Sequence, residues 1–462
     1  MSYWKKVCLG CALFAGMTIA SSAQTFTTLA YFPYVSFYSS ALIQGRDGNL
    51  YGTTQAGGTG GYGTVFKITR SGTLTNLYTF CSLANCADGW SPSGALALGI
   101  DGNLYGATGR GGENDHGTIF KVSPSGALRV LYTFSGTDGS EPEGGLLLAS
   151  NGKFYGTTFG GGISPSCTSG CGTVFNITPG GSLTTLFNFN EADGYGPAAP
   201  LIQGNDGNFY GTTLKGGIQN SYCIYGCGTV FKMTPAGRLT TAHYFDFTDG
   251  SYIGSAVTQG SDGNFYAPAW EGGYVAFEGC FNGCGTLFSI SQKGKFTILQ
   301  KPQSPAVEYL ATLVVASDGK LYGIGAELYT LAPSGKVTIV YTLPPNLATP
   351  STVFQATDGM FYGAYLYDDE MGSAIYSLDT GLSTFVAFVV PAGKAGQTAQ
   401  ILSQGLTGTT SVTFNGVPAT SFKVVSDTYM TAVVPAGATT GAVVVATPAG
   451  NLISNVSFRV TR

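Results

Sequence analysis

The chain has 462 residues, of which 70 are glycine, 56 are tyrosine or phenylalanine (27 + 29), and only 10% are charged. Scarce charge combined with so many aromatics fits neither a disordered chain nor a helical bundle, and it suits many short strands joined by tight turns. The formal net charge is −4, or 19 − 25 = −6 once Lys5 and Lys6 are set aside with the leader described below, which argues against nucleic acid or an anionic surface as a general partner.

The leader comes first. Lys5 and Lys6 precede an apolar run over residues 7–20, and Ser21, Ser22 and Ala23 supply small residues at a cleavage position. This reads as a signal peptide over 1–23, with the mature chain starting at Gln24. Cys11 falls too early in the run for a convincing lipoprotein site. No later segment is long and apolar enough to span a bilayer, so the expected location is secreted or at the cell surface.

From residue 25 onward the chain repeats itself. "DGNLYGTT" at Asp47 returns in variant form at Asp101, Asn151, Asp206, Asp262, Asp318 and Asp358, at spacings of 54, 50, 55, 56, 56 and 40. A period of this size means a solenoid, a propeller or an array. The first unit predicts four strands, A over 40–45, B over 49–54, C over 63–69 and D over 73–80, each β-branched or aromatic and bounded by Gly, Ser, Asn or Asp. The Asp-Gly between A and B is a hairpin signal, as are the "RSG", "PSG", "PGG" and "PAG" steps between C and D. Tyr51 and Tyr105 are expected to pack between neighbouring sheets. Four antiparallel strands per unit describe a propeller blade, and seven motifs predict seven blades. Residues 25–32 look like a strand D with no blade before them. They are expected to complete the last blade, whose own D candidate at 382–388 is weaker.

The pattern "LIQGxDGNLYGTT … GTVFKITPSGxLTTLYxF" resembles the GloVer (Gloeo_Verruco) repeat of secreted bacterial proteins over about 25–384. The resemblance is strongest in the first four units. "APAW" replaces "GTT" in the fifth, and the sixth nearly loses its B–C loop at Gly325 and Ala326. It implies architecture and export. Residues 387–462 hold no Cys or Trp. There "VTFNGVPA" and "TYMTAVVPAGATTGAVVV" resemble an IPT/TIG domain. The expected fold is therefore all-β: a seven-bladed β-propeller over 24–386 followed by a small immunoglobulin-like β-sandwich over 387–462. With only Lys394, Lys423, Arg459 and Arg462 as basic residues, the second unit gives no ground for a DNA role.

The eight cysteines of the mature chain form four close pairs: Cys81/Cys86, Cys167/Cys171, Cys223/Cys227 and Cys280/Cys284. In an exported chain these read as disulfides, and their spacings do not match a structural zinc knuckle. Each would close a very short loop, worth roughly 2 kcal/mol in the chain-entropy model.

Strand order puts the short A–B and C–D turns on one end and the long B–C and D–A loops on the other. All four pairs fall on the loop end, as do Trp90 in a D–A loop and Trp270 at the end of strand B. Flat aromatics on such a face suit stacking on sugars, or simply packing under neighbouring loops. Arg110 and His116 share a B–C loop with Glu113 and Asp115, and Glu271 follows Trp270. These charges suit a polar ligand, or a solvated loop. The ligand-binding candidates are thus Trp90, Trp270, Arg110, His116 and Glu271.

Catalysis has weaker support. The histidines, His116 and His243, form no triad spacing, and no GxSxG is present. Calcium at the Asp-Gly-Asn corners would find one carboxylate per turn, where it takes six to eight oxygens. The expectation is a non-enzymatic, monomeric binding module without cofactor. Its partner would be a glycan or a surface protein, and neither nucleic acid nor a membrane span is expected. The alternatives are a carbohydrate-active hydrolase or lyase with carboxylates near the axis, and a structural envelope protein without ligand.

Overall fold

The computed structural model describes residues 24–32, 41–273, 282–301, 312–344, 350, 352–366 and 372–461. The predicted signal peptide lies outside these residues. The fold is all-β and propeller-like. Among the described residues before position 380, seven four-stranded antiparallel sheets follow one another. In the first, strands A to D are Ile43–Gln44, Leu50–Thr54, Thr64–Ile68 and Leu74–Thr79, each inside its predicted range. The next five sheets repeat the A-B-C-D meander. The first strand of the second sheet touches the first strands of the first and third, and the fifth and sixth sheets meet in the same way. The A strands therefore line the inside.

The seventh sheet is made from both ends of this region. Phe354–Gln355, Phe361–Leu366 and Ser373–Asp379 supply three strands, and Thr25–Phe32 supplies the fourth. The register runs from Thr25 opposite Asp379 to Phe32 opposite Ser373. The alternative candidate at 382–388 does not join this sheet. Its Ala387–Phe388 pairs with Thr398–Leu402 of the C-terminal unit instead.

Each part of the repeated motif has a job. Asp47, Asp101, Asp206, Asp262, Asp318 and Asp358 each accept a hydrogen bond from the hydroxyl of the tyrosine four residues on. The backbone N–H two residues on also bonds the aspartate, for example Asn49 N to Asp47 Oδ1 at 3.2 Å. Gly48 holds φ +79°, which the turn requires. The tyrosine ring then stacks on the aromatic that begins strand B of the following sheet: Tyr105 on Phe154 at 4.1 Å, Tyr155 on Phe209 at 4.0 Å and Tyr210 on Phe265 at 3.8 Å. So the tyrosines do pack between sheets. The glycine after the tyrosine makes room for a strand C ring: a Cβ on Gly106 would stand 2.5 Å from Phe120 Cζ. Threonine pairs join the loop ends of strands B and C, such as Thr108 and Thr118 at 2.9 Å between hydroxyl oxygens.

The C-terminal unit has two four-stranded sheets and a two-stranded parallel pair, Ala392–Gly393 with Arg459–Val460. Ile401, Met430, Val412, Val445 and Phe458 share its core. This unit docks on the A–B corners. Arg46 bonds Gln400 Oε1 at 2.8 Å and lies over the Tyr429 ring at 4.6 Å. Arg459 reaches Ser150 Oγ at 3.0 Å, and Asn455 reaches Val315 O at 3.3 Å. Val389 and Val390 pack with Ala97, Leu146 and Leu148 from the inner strands. One end of the propeller-like body is therefore occupied by the chain itself.

Candidate binding site

A second Asp-Gly motif organises the opposite end, at Asp88, Asp138, Asp193 and Asp249. Each aspartate accepts a bond from a side chain near the end of strand D: Tyr78 at 2.8 Å, Tyr132 at 2.5 Å, Asn190 at 2.5 Å and His243 at 2.7 Å respectively. The glycine that follows has positive φ in all four cases, as does the residue after next: Ser91, Glu141, Gly196 and Tyr252. This double kink turns the chain back as a short extension of strand A.

The extension pairs with the end of strand B at a fixed separation. Trp90 pairs with Arg110, Ser140 with Gly160, Tyr195 with Lys215 and Ser251 with Glu271. The separation is 20 residues each time (110 − 90, 160 − 140, 215 − 195, 271 − 251). Four consecutive sheets thus present equivalent positions on the loop end, and two of them, Trp90 with Arg110 and Tyr195 with Lys215, carry an aromatic beside a charge. The D–A loop expected to hold Trp90 is in fact strand Trp90–Leu98 at that point, because the cross-strand partner Arg110 extends the ladder.

The sequence candidates divide into two groups. In one, Trp90 Nε1 donates to Asp115 Oδ1 at 3.3 Å, and its ring meets Tyr62 edge-on at 6.2 Å. Arg110 pairs with Glu141 at 2.8 Å across to the third sheet. His116 Nδ1 lies 3.0 Å from Ser140 Oγ, which fixes the half-buried ring in the seam between these sheets. In the other group, Trp270 is 43% exposed and tilts against Tyr252 at 6.0 Å, while Glu271 Oε1 accepts from Asn282 at 3.2 Å. The two groups sit on the second and fifth sheets, where Arg110 and Glu271 hold equivalent positions, while Trp90 lies on the strand A side of its ladder and Trp270 on the strand B side.

Sequence reading missed the residues between them. Phe159 and Tyr195 lie 5.7 Å apart, and Lys215 Nζ stands 6.0 Å over Tyr195 and 5.4 Å over Tyr225. Tyr222, 66% exposed, stacks on Phe247 at 4.6 Å. The Asp-Gly at 88, 138, 193 and 249 was the available signal for this arrangement. Glu143 was also missed. Burial raises its pKa, the neighbouring Glu141 adds to the rise, and Arg110 opposes it.

Three disulfides stiffen this end: Cys81–Cys86, Cys167–Cys171 and Cys223–Cys227. Cys284 is disulfide-bonded as well, and Cys280 lies outside the described residues. Among the described residues no group of three or more His, Cys, Asp or Glu is arranged to hold a metal ion, and no helix is long and apolar enough to cross a membrane.

The Gloeobacter/Verrucomicrobia repeat model matches residues 15–224 and 128–328. Together these cover 15–328 of the 462 residues, and the chain belongs to that repeat family. No curated protein matches it. Among solved structures, it resembles two proteins described as extracellular domains of hybrid two component systems from B. thetaiotaomicron. One likeness has TM-score 0.49 and 10% identity, over 92% of this chain and 51% of that one. The other has TM-score 0.49 and 11% identity, over 83% and 45%. The chain thus spans about half the length of these two proteins. A gluconolactonase from Xanthomonas campestris is similar at TM-score 0.41 and 13% identity, over 78% of this chain and 90% of that one.

Proposed function

We propose that this chain is an exported, non-enzymatic binding module whose ligand is a glycan held at the loop-rich end of a seven-bladed β-propeller. The C-terminal unit is read as an IPT/TIG-like immunoglobulin sandwich that closes the other end. Export is supported by the leader pattern over 1–23 and by the disulfides, which form in oxidising compartments. The observation that carries the reading is the repeated extension of strand A. It sets Trp90 beside Arg110 and Tyr195 beside Lys215 at equivalent positions around one end, and at the next such position it pairs Ser251 with Glu271, the chain neighbour of Trp270. Rings that stack on sugar faces, next to charges that bond hydroxyls, suit a glycan better than an apolar ligand. A surface protein is the other partner such a face would take.

The test is a glycan array with the mature chain from Gln24, disulfides formed, followed by Trp90→Ala and Trp270→Ala. Binding to one sugar class is expected, weakened at least tenfold by each substitution with the fold intact. Silence on the array would move the partner to a protein. Binding unchanged in both variants would remove these residues from the site.

A hydrolase or lyase is the second reading, favoured by one observation: burial raises the pKa of Glu143, while its neighbour Glu141 is paired with Arg110. Two acids in unlike environments are what acid–base chemistry needs. Turnover of an array-positive glycan that is lost in Glu143→Gln would establish it.

A further inference from the structure

The docked C-terminal unit leaves a cavity of about 310 Å³ against the A–B corners, far from the loop end discussed above. Its floor is apolar, with Leu147, Ile202, Val315 and Val390, and its rim is polar, with Asn205, Ser261, Ser457 and Arg459. An apolar floor with a few convergent polar groups at this volume is the usual form of a small-molecule site.

Arg459 sets the chemistry. It is half-buried, and among the described residues it makes no ion pair. Its guanidinium donates instead to the neutral Ser150 hydroxyl. Asp206 is the nearby acid, but its carboxylate lies 2.8 Å from Lys232 Nζ, so its charge is already matched. Burial works against the charge on Arg459, and Asp206 only partly restores it. Arg46, the other arginine at the joint, is held on Ile100 O, Gln400 and the Tyr429 ring, and its remaining unpartnered nitrogen, Nε, is buried rather than open to the cavity. A guanidinium that lines a cavity without an ion pair of its own is suited to a carboxylate, which it can hold through two parallel N–H bonds.

We infer that the joint between the propeller-like body and the C-terminal unit binds a small monocarboxylate of about one sugar ring in size, with Arg459 taking the carboxylate. Asn205, Ser261 and Ser457 then meet the hydroxyls, and the apolar floor meets the ring. This site is independent of the loop end, and loss of either would leave the other standing.

The probe is D-glucuronate, with D-glucose as the uncharged control, titrated calorimetrically into the mature disulfide-bonded chain. Saturable binding of glucuronate is expected, at least tenfold tighter than glucose. Arg459→Met should weaken it at least tenfold. Val456→Trp places a large side chain at the cavity wall from a residue that is 37% exposed, and should abolish binding without disturbing the fold. Thermal unfolding of each variant checks that the joint has survived. No binding of glucuronate, equal binding of glucose, or binding unchanged by both substitutions in folded protein would each overturn the assignment.

Discussion

A buried aspartate would ordinarily hold its proton more tightly, yet burial of Asp206 is outweighed by hydrogen bonds from Lys232, Asn208 and Tyr210, and its pKa falls below the usual carboxylate range. Asp101 shows the same balance, through Asn103, Tyr105 and Lys121. The partner tyrosines move the other way. Burial and the adjacent aspartate raise Tyr105, Tyr266, Tyr322 and Tyr362, and Tyr210 is pushed up to about 12. A tyrosine whose folded pKa is raised contributes stability below its unfolded value of 10.0 and loses it as pH rises through the folded value. An aspartate whose folded pKa is depressed contributes above its unfolded value and loses it as pH falls through the folded one. Stability should therefore hold steady near neutral pH and fall between about pH 10 and about pH 12. Urea midpoints at pH 8, 10 and 11.5 measure this, and a midpoint that does not move up to 11.5 would refute the argument. Tyr210→Phe should make the alkaline fall shallower. At this scale the sequence was partly legible. Asp-Gly is readable as a turn because glycine supplies the positive φ. The Asp–Tyr hydroxyl bond and the room that Gly106 leaves for Phe120 are contacts made only when strands pair, and a linear pattern does not display them.

Strands were legible because short aromatic runs between turn residues have few other options. The closing strand shows where that reasoning stopped. Two segments, 25–32 and 382–388, competed for one position, and composition alone ranked them weakly. The longer one won by packing. Phe26 stacks on Tyr376 at 5.4 Å, and Phe32, only 9% exposed, sits with Leu42, Phe66 and Ile375. Ala387–Phe388 was instead claimed by the C-terminal sheet. Removing residues 24–32 should cost at least about 3 kcal/mol, since it exposes two or more large apolar side chains and their partners. It also leaves the Ser373–Asp379 edge open, and an open edge can accept an added strand. A synthetic peptide of residues 24–32, supplied in excess, should then recover part of the lost stability in chemical unfolding. If the truncated chain unfolds at the same urea concentration as the intact one, closure by this strand contributes nothing. The candidate site was legible as residues but not as a ladder, for a related reason. Strand order along the sequence puts Trp90 in the D–A loop, whereas a cross-strand partner 20 residues away keeps it in a ladder.

At the scale of the whole molecule, the two ends of the propeller-like body are treated differently, and that asymmetry rests on few contacts. Arg46 is the central one. It leaves the A–B corner of the first sheet, bonds Ile100 O of the second, and reaches Gln400 and Tyr429 of the C-terminal unit. Thr428 Oγ1 returns a bond to Arg46 O at 2.6 Å. One planar guanidinium thus joins two sheets and the C-terminal unit, which an ammonium on a flexible stem would not do equally well. Arg46→Ala should cost about 1–3 kcal/mol, from the lost charged hydrogen bonds and the ring contact. The loss should fall on the joint rather than on the sheets. Calorimetry is then expected to show one unfolding transition for the intact chain and two for the variant, with the C-terminal unit melting first. Proteolysis should speed up in the connection after Asp379, where the chain passes from the last sheet to the C-terminal core. Arg46→Lys should fall between the two. A lower melting temperature that keeps one transition and an unchanged cleavage rate would place Arg46 among the sheet contacts instead. The C-terminal unit would then be held by Arg459, Asn455 and the apolar floor beneath Val389 and Val390.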